Sequence, residues 1–237
     1  MLLNLKKDAI FIADSHYNHQ RIDFENIMND ILSNKIETSQ LFLMGDMFDF
    51  LCDEVSYFKK INQNVISKIN QISQNIEVIY LEGNHDFNLK EIFPDIVLIK
   101  RENQPFIIEY NDEYIALSHG DIFTAFSYNV FTSIMRNKYF LKFLNMIDIS
   151  SFISKYFENK LVKKEICHDI DNFQLFAKNR IKLYQQYDAI SYIIEGHFHQ
   201  GKRYLNYINI PSLACDNFYT KVKIENFKIG FENIKYN

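Results

Sequence analysis

The sequence predicts an α/β protein in which two β-sheets pack face to face and helices cover their outer faces. Three features support this prediction. Up to Leu81, apolar runs of strand length alternate with amphipathic stretches, which is the order of a parallel sheet covered by helices. Beyond Asp95 the apolar runs shorten and turn residues separate them, as in antiparallel strands. Residues 122–186 have a helical pattern, and a further strand follows them.

The N-terminal elements are defined by the spacing of their apolar residues. Asp8–Ala13, Leu41–Gly45 and Ile76–Leu81 have the length and composition of buried strands. Apolar residues at helical spacing predict a covering helix over 22–32 and a long amphipathic helix over 55–72. Because the carboxyl ends of parallel strands meet at one edge of a sheet, we expect a ligand site at that edge.

The C-terminal half contains short strands, the helical stretch, and then a strand with an alternating tail. The pair Asn111-Asp112 suits a turn between two of the short strands. The tail from Tyr204 to Ile234 alternates apolar and polar residues, which is typical of antiparallel strands. The other predicted strands of this half are Val97–Ile99, Phe106–Glu109, Tyr114–Leu117 and Ala189–Ile194.

Composition limits the class of protein. With 237 residues we expect one domain, 1–237, that carries a helical insertion at about 122–186. A net charge of −4 and a pI near 6.0 give no general attraction to nucleic acid. No apolar stretch approaches the ~20 residues that span a bilayer, and no secretory signal is visible, so we expect a cytoplasmic protein that is soluble or at most peripheral. The three cysteines form no C-x-x-C pair and are expected to be reduced.

Chemistry-bearing residues follow five of the predicted strands. Each motif alone is more often a helix cap, a turn or a surface pair than a site. Together, however, they contain five of the seven histidines, and this concentration favours a functional site. Imidazole nitrogens with carboxylate and amide oxygens suit divalent transition metals. The motifs are Asp14-Ser15-His16, Gly45-Asp46 with Asp49, Gly83-Asn84-His85-Asp86, His119-Gly120-Asp121 and Gly196-His197-Phe198-His199.

These motifs supply seven candidate metal ligands, which are too many for one tetrahedral site. They fit two cations that share a carboxylate and lie about 3.5–4 Å apart, as in two-metal hydrolytic sites. Asp49 is a candidate partner for a ligand, or equally the cap of the following helix. The seven candidates are Asp14, His16, Asp46, Asn84, His119, His197 and His199.

As an ordered set, the motifs resemble those of the calcineurin-like metallophosphoesterase family, from Asp14 to His199. The resemblance implies a four-layer sandwich of two mixed sheets with a helical insertion. It also implies a dinuclear centre, with manganese expected and iron, zinc or magnesium as alternatives. By motif position, the first ion would be held by Asp14, His16, Asp46 and His199, and the second by Asp46, Asn84, His119 and His197. His85 would stand beside the metals as the catalytic acid, and Asp86 would orient it.

The segment Ile122–Lys164 is the part of the chain that bears on the substrate. It contains ten aromatic residues and seven basic residues against two acidic ones. One interpretation is a helical hairpin packed on the body, with its lysines in water. The other is a lid that accepts acyl chains, contacts anionic groups through Arg136, Lys138 and Lys142, and lies at the inner face of the cytoplasmic membrane.

An insertion at this place is similar to that of the UDP-2,3-diacylglucosamine diphosphatases. This resemblance implies cleavage of a lipid-linked nucleotide sugar to 2,3-diacylglucosamine 1-phosphate and UMP, with Asn84 also contacting the substrate. His85 differs from the arginine of the best-known branch of those enzymes and follows the wider superfamily. The alternative substrates are soluble nucleotides or other small phosphoesters. A nuclease and a scaffold without activity are disfavoured, by the acidic balance and by the complete ligand set, and we expect no obligate protein partner.

Overall fold

The computed structural model describes residues 2–226 and 228–236. Twelve strands form two six-stranded sheets among these residues. The strands are β1 Leu3–Asn4, β2 Ile10–Ile12, β3 Gln40–Leu43, β4 Glu77–Leu81, β5 Val97–Ile99, β6 Phe106–Tyr110, β7 Glu113–Ser118, β8 Ile190–Glu195, β9 Lys202–Tyr204, β10 Tyr207–Asn209, β11 Phe218–Glu225 and β12 Lys228–Lys235. The helices of the same residues are α1 Asp23–Leu32, α2 Ser56–Ile61, α3 Gln63–Ser73, α4 Phe126–Met135, α5 Lys138–Ile147, α6 Phe152–Val162, α7 Phe173–Tyr184 and α8 Leu213–Asp216, with short 3-10 helices at Arg101–Asn103 and Ile149–Ser151.

Both sheets are mixed. Sheet I has the order β12-β11-β2-β3-β4-β5, in which β2 to β5 run parallel and β11 and β12 are antiparallel additions. Sheet II has the order β1-β6-β7-β8-β10-β9, with β7, β8 and β10 parallel at its centre. The predicted parallel order of the first three strands is therefore confirmed, and their carboxyl ends lie at one edge of sheet I.

The alternation of side chains along the strands explains the layering. Phe11 and Phe42 are buried in the core between the sheets, where their rings stack 4.4 Å apart, and Ile194 of sheet II joins the same core. Their neighbours Ile10 and Leu41 point to the opposite face and pack with the helices α1 and α3. Helix α7 covers the outer face of sheet II. The result is the expected four-layer arrangement of helices, two sheets and helices.

Two predicted elements differ from the structure. The long helix over 55–72 is two helices, α2 and α3, which meet at Asn62. The buried Asn62 side chain donates to the carbonyl of Phe50 at 3.3 Å. This bond holds the chain against the loop that contains Phe50, at the point where a single straight helix would continue. In addition, α7 is a layer of the sandwich, so only α4 to α6 project from the body as a lid. The single-domain assignment of 1–237 stays a prediction.

The expectation for the cysteines is wrong for two of the three. Cys167 and Cys215 form a disulfide, with their Cα atoms 5.7 Å apart, whereas Cys52 is free and buried. A sequence separation of 48 hid this proximity, since sheet II brings the loop 163–172 back to α8. Sequence spacing alone carries no information on such a pairing.

Candidate metal centre

The five motifs converge at one end of the sandwich. Asp14, Asp46 and Asn84 follow β2, β3 and β4 of sheet I, while His119 and His197 follow the parallel strands β7 and β8 of sheet II. Glycines permit the close approach of these loops. A Cβ atom on Gly83 would overlap Oδ1 of Asp46, and one on Gly196 would lie 2.7 Å from Oδ2 of Asp14.

The first group of donors contains Asp14, His16 and His199. Their ligand atoms all lie within 4.8 Å of one another. Oδ1 of Asp14 faces Nε2 of His199 at 3.3 Å, and Asp14 and His16 are buried. Burial raises the pKa of Asp14, but the nearby His199 imidazole, when charged, outweighs it and the net shift is downward.

Unpartnered polar atoms in this first group fit a cation. Both ring nitrogens of His16 and Oδ1 of Asp14 are buried and lack a hydrogen-bond partner among the residues that the structure describes. Burying such atoms without a partner costs about 1–3 kcal/mol each, whereas a bound cation would satisfy Oδ1 of Asp14 and one of the two His16 nitrogens. Asp49 adds a neighbouring charge, with Oδ1 at 3.6 Å from Nδ1 of His16.

The second group contains Asp46, His119 and His197, again with ligand atoms within 4.8 Å of one another. Nε2 of His119 lies 3.5 Å from Oδ2 of Asp46, 3.3 Å from Oδ1 of Asn84 and 3.1 Å from Nδ1 of His197. Asn84 therefore stands in the position of a fourth donor. Ligand atoms of Asp46, His16 and His85 also lie within 4.8 Å of one another, so Asp46 is the carboxylate that joins the two groups.

The electrostatics of the second group suit a positive ion. Burial lowers the pKa of His119, but Asp46 and further carboxylates outweigh this and raise it to about 10. Burial, and then the charge on His119, lower the pKa of His197 to about 4. At neutral pH His119 is therefore protonated and His197 is neutral, so the pair of imidazoles carries one positive charge. A divalent cation supplies the same positive charge to the same atoms.

Backbone carbonyls fix the orientation of three histidines. Nδ1 of His119 donates to the carbonyl of Met44 at 3.0 Å, and Nδ1 of His199 donates to the carbonyl of Ile166 at 2.8 Å. Nδ1 of His85 donates in the same way to the carbonyl of Asp49 at 2.6 Å. Since a carbonyl only accepts, each ring carries a proton on Nδ1, so Nε2 is the nitrogen that faces a ligand or a substrate.

Asp86 does not take the position that the sequence analysis expected. Its buried carboxylate accepts the backbone N–H groups of Asp46, Met47 and Gly83 and the hydroxyl of Tyr80, at 2.5–2.9 Å. The His85 ring is held by Asp49 instead. The expected contact of Asp86 with His85 is wrong because the aspartate points back beneath the loops after β3 and β4.

Asp49 likewise has a definite place. Its carboxylate accepts both bonds from Nη2 of Arg21, at 2.7 and 2.9 Å, and one from Asn18 at 2.6 Å. Helix α2 begins only at Ser56, with Val55 as its cap, so the helix-cap alternative for Asp49 is wrong. Asp49 supports the site in two ways. Its carbonyl accepts the Nδ1–H group of His85, and its carboxylate lies 3.6 Å from Nδ1 of His16.

A cleft of about 460 Å³ opens beside these residues, between the strand ends and the lid formed by α4, α5 and α6. Arg136 lines it, and its guanidinium is fixed 3.3 Å from Glu82 and over the ring of Phe87. Lys138 and Lys142 are exposed on α5, outside the set of described residues that line the cleft. Lys164, the last residue of the segment Ile122–Lys164, also lines the cleft, although it is not among the residues predicted to contact the substrate. The other lining residues are Phe50, Asn84, His85, Tyr128, Phe131, Thr132, Met135, Phe157 and His197.

Two sheets whose strand ends converge on buried carboxylate, amide and imidazole donors form a candidate metal centre of the kind that metal-dependent hydrolases use. The sequence model of the family described as calcineurin-like phosphoesterase matches residues 9–201, and the chain belongs to this family. The resemblance seen in the sequence is confirmed.

Two curated relatives and one solved structure are similar to the chain. The "UDP-2,3-diacylglucosamine hydrolase" of Shewanella sp. (strain ANA-3) is 25% identical over 115 residues, which is 48% of this chain and 47% of the relative. The protein of the same name from Aromatoleum aromaticum is 24% identical over 210 residues, 85% of this chain and 84% of the relative. The match thus spans about half the length of the first and most of the second. A dimetal phosphatase from Danio rerio shares the fold at a TM-score of 0.50, with 11% identity and coverage of 96% and 95% of the two chains.

No helix in the described parts of the chain is both long enough and apolar enough to pass through a membrane.

Proposed function

We propose that the chain hydrolyses the pyrophosphate bond of UDP-2,3-diacylglucosamine, giving 2,3-diacylglucosamine 1-phosphate and UMP, with two divalent cations, manganese by preference, at the strand ends. The names of the curated relatives support this substrate. The observation that carries the proposal is an apolar cavity under the lid that adjoins the metal-side cleft.

The apolar cavity has a volume of about 200 Å³ and lies between the body and the helices α5 and α6. It shares Phe50, Met135 and Phe157 with the cleft that contains His85 and His197. A substrate with its phosphates at the metals would therefore direct an apolar chain into this cavity. A soluble nucleotide has no acyl chain that would fill this cavity. The remaining lining includes Val55, Phe58, Leu141, Leu144, Ile153 and Tyr156.

The charges of the cleft and the lid have separate roles in this proposal. Arg136 and Lys164 line the cleft, where they would neutralise the pyrophosphate. Lys138 and Lys142 lie on the exposed side of α5 and would meet anionic lipid head groups at the inner face of the membrane. Large apolar side chains are exposed beside them, as expected for an interfacial helix. These are Phe126, Phe131, Tyr139, Phe143, Met146, Ile149, Phe152 and Tyr156.

The two candidate ligand groups support the division of ligands that the resemblance implies. Asp14, His16 and His199 with Asp46 would hold one ion, and Asp46, Asn84, His119 and His197 the other. When bound, such a pair of cations activates water near neutral pH and neutralises charge on the phosphoryl oxygens. Nitrogen and oxygen donors of this kind accept manganese, iron and zinc, and magnesium through the oxygens.

His85 would act on the leaving group. Its Nδ1 proton is committed to the Asp49 carbonyl, so Nε2 is the nitrogen that can give a proton to the departing oxygen. The backbone N–H of His85 donates to Oδ1 of Asp46 at 2.8 Å, which fixes the ring at the edge of the ligand groups.

The test compares a diacylated nucleotide sugar in mixed micelles with a soluble phosphodiester. Leu144 lines the apolar cavity but not the cleft, so Leu144→Trp should lower kcat/KM for the diacylated substrate about 10- to 200-fold. Hydrolysis of the soluble phosphodiester should be unchanged. Asn159→Ser alters an exposed polar residue of the lid helix α6, outside both cavities and the apolar residues named above, and is the control for lid folding.

Two results would contradict the proposal. Wild-type activity on soluble nucleotides that equals or exceeds activity on the diacylated substrate would favour the alternative of a soluble phosphodiesterase or phosphatase. Hydrolysis that resists chelators, in protein without bound transition metal, would remove the metal centre.

A further inference from the structure

The disulfide between Cys167 and Cys215 lies beside the first ligand group and has no part in the function proposed above. It joins the irregular loop 163–172 to the short helix α8. Cys167 is exposed and Cys215 is partly buried, so the bond can be reached from solvent. Each cysteine is the chain neighbour of a residue whose backbone contacts a candidate ligand.

The loop half of the disulfide bears on His199. The carbonyl of Ile166, next to Cys167, accepts Nδ1 of His199 at 2.8 Å. This bond directs Nε2 toward Asp14, whose Oδ1 is 3.3 Å away. Sγ of Cys215 itself lies 3.6 Å from Nδ1 of His199. The partner of a ligand histidine's other nitrogen sets the orientation of the ring, so the position of Ile166 matters for metal binding.

The helix half of the disulfide bears on Asp14. The N–H of Ala214, next to Cys215, donates to the Asp14 carbonyl at 3.2 Å, and the hydroxyl of Ser212 donates to the same oxygen at 2.9 Å. Asp14 has φ of 51°, in the left-handed region, so its backbone depends on such contacts. The disulfide thus links the two segments that hold two ligands of one ion.

We infer that the Cys167–Cys215 disulfide is a redox-sensitive clamp that sets the affinity of the site formed by Asp14, His16 and His199 for its cation. The inference rests on the metal centre of the proposed function and not on the lipid substrate. In the reduced protein the carbonyl of Ile166 loses its covalent tie to α8, and the His199 ring gains freedom. We expect the dissociation constant of this one site to rise about tenfold, the lower end of the effect seen when a ligand's hydrogen-bond partner is lost.

The reduced loop should remain in place as a whole. The side chain of Gln200 accepts the N–H of Ile170 at 2.9 Å and donates to the carbonyl of His168 at 2.7 Å, independently of the disulfide. The release is therefore confined to the segment that carries Ile166. A dithiol performs the reduction by attack on the exposed Cys167 sulfur. Cys215 leaves as a thiolate and takes up a proton, and the second thiol resolves the mixed disulfide, so two electrons pass to Cys167 and Cys215 and the dithiol becomes a disulfide.

The experiment measures binding of Co²⁺ alone, by visible absorption and competition with a chromophoric chelator, before and after reduction. A phosphine reductant, which becomes a phosphine oxide with one oxygen from water, is removed without air before the titration. Thiol titration should give one free thiol in the oxidised chain and three in the reduced chain. Cys167→Ser with Cys215→Ser should bind as the reduced wild type does under both conditions. Cys52→Ala, which alters the free cysteine, should keep the full redox effect.

The outcomes separate this inference from the proposed function. A tenfold weakening of one of two cobalt sites, in the wild type and Cys52→Ala but not in the double serine variant, supports the clamp. Equal affinities, tighter binding with a sulfur-to-cobalt band after reduction, or three free thiols even after oxidation would each overturn it alone. Absence of cobalt binding in every form would overturn the metal centre, and the clamp with it.

Discussion

The role of Asp86 can be tested by the substitution Asp86→Asn. The carboxylate is fully buried, and its two oxygens accept four hydrogen bonds, three from backbone N–H groups and one from Tyr80. Burial, and then repulsion by Asp46, raise the pKa of Asp86, while the bonds from Tyr80 and Gly83 act in the opposite direction. Three of the partners are backbone N–H groups, which can only donate and need the Asp86 oxygens as acceptors, whereas the Tyr80 hydroxyl can also accept.

An asparagine replaces one oxygen by an NH₂ group, whichever way the amide is placed. With the NH₂ group on the side of Met47 and Tyr80, the Met47 N–H loses its acceptor while the Tyr80 hydroxyl can rotate to accept, and a buried donor without a partner costs about 1–3 kcal/mol. Asp86→Asn should therefore lower the free energy of unfolding by roughly 1–3 kcal/mol. This is a substantial fraction of the roughly 5–15 kcal/mol that stabilise a typical domain.

The assay is urea unfolding of the metal-free protein, in which no catalytic role can contribute. Tyr80→Phe removes one of the four bonds and should cost about 1 kcal/mol. It therefore measures the cost of losing one hydrogen bond to Asp86, for comparison with the cost of Asp86→Asn. If Asp86→Asn unfolded at the wild-type urea concentration while kcat fell sharply, Asp86 would act on His85 after all, and the assignment to the backbone of the loops would fail.

Two further predictions concern the histidines. Because the pKa of His119 is raised to about 10 in the metal-free protein, a cation must displace its proton at neutral pH. The apparent affinity for metal should therefore rise about tenfold per pH unit from pH 7 toward 10, with proton release measurable in weak buffer, and a flat profile would contradict the shift. His85→Ala should lower kcat about 100- to 10,000-fold and leave two metals per chain by elemental analysis. An unchanged kcat, or a lost metal, would show that His85 has another role.

Most of the layers could be predicted from the sequence, because strand burial and helix amphipathicity are local patterns. Phe11 alternates with Ile10 and Ile12 as a strand between two cores must, and a glycine is visible in the motif after four of the five metal-side strands. No local pattern marks Asn62 as a helix break, since its effect depends on the carbonyl of Phe50 in another loop. Short edge strands such as Leu3–Asn4 carry too few residues for any pattern to be read.

The candidate ligands were predictable for the same reason, and their supporting contacts were not. Five short motifs carry the donors, and parallel topology brings the strand ends together. In contrast, Ile166 acts through its carbonyl, which every residue possesses, so no side-chain signal marks it. Cys167 and Cys215 meet only after the chain has passed through α7 and β8. The contact of Asp86 was mispredicted because motif order does not show in which direction a side chain points.

The two ligand aspartates also hold the loops together. Oδ2 of Asp14 accepts the N–H of His197 at 2.8 Å, and Oδ1 of Asp46 accepts the N–H of His85 at 2.8 Å. Asp14, His16, Asp46, His197 and His199 all have φ between 42° and 62°. Such conformations cost of order 1–3 kcal/mol each, so the loops need these contacts to persist.

Substitutions at Asp46 should therefore separate metal binding from loop structure. Asp46→Asn keeps an oxygen for the N–H of His85 and turns an NH₂ group toward His119, so it should abolish metal binding and leave unfolding within about 1 kcal/mol of the metal-free wild type. Asp46→Ala removes both contacts and should cost about 1–3 kcal/mol more, because the His85 N–H loses its acceptor. Metal-free urea unfolding of the two variants measures the difference. If they unfolded alike, the Asp46 carboxylate would be a ligand and nothing else, and the strained loop would depend on other contacts.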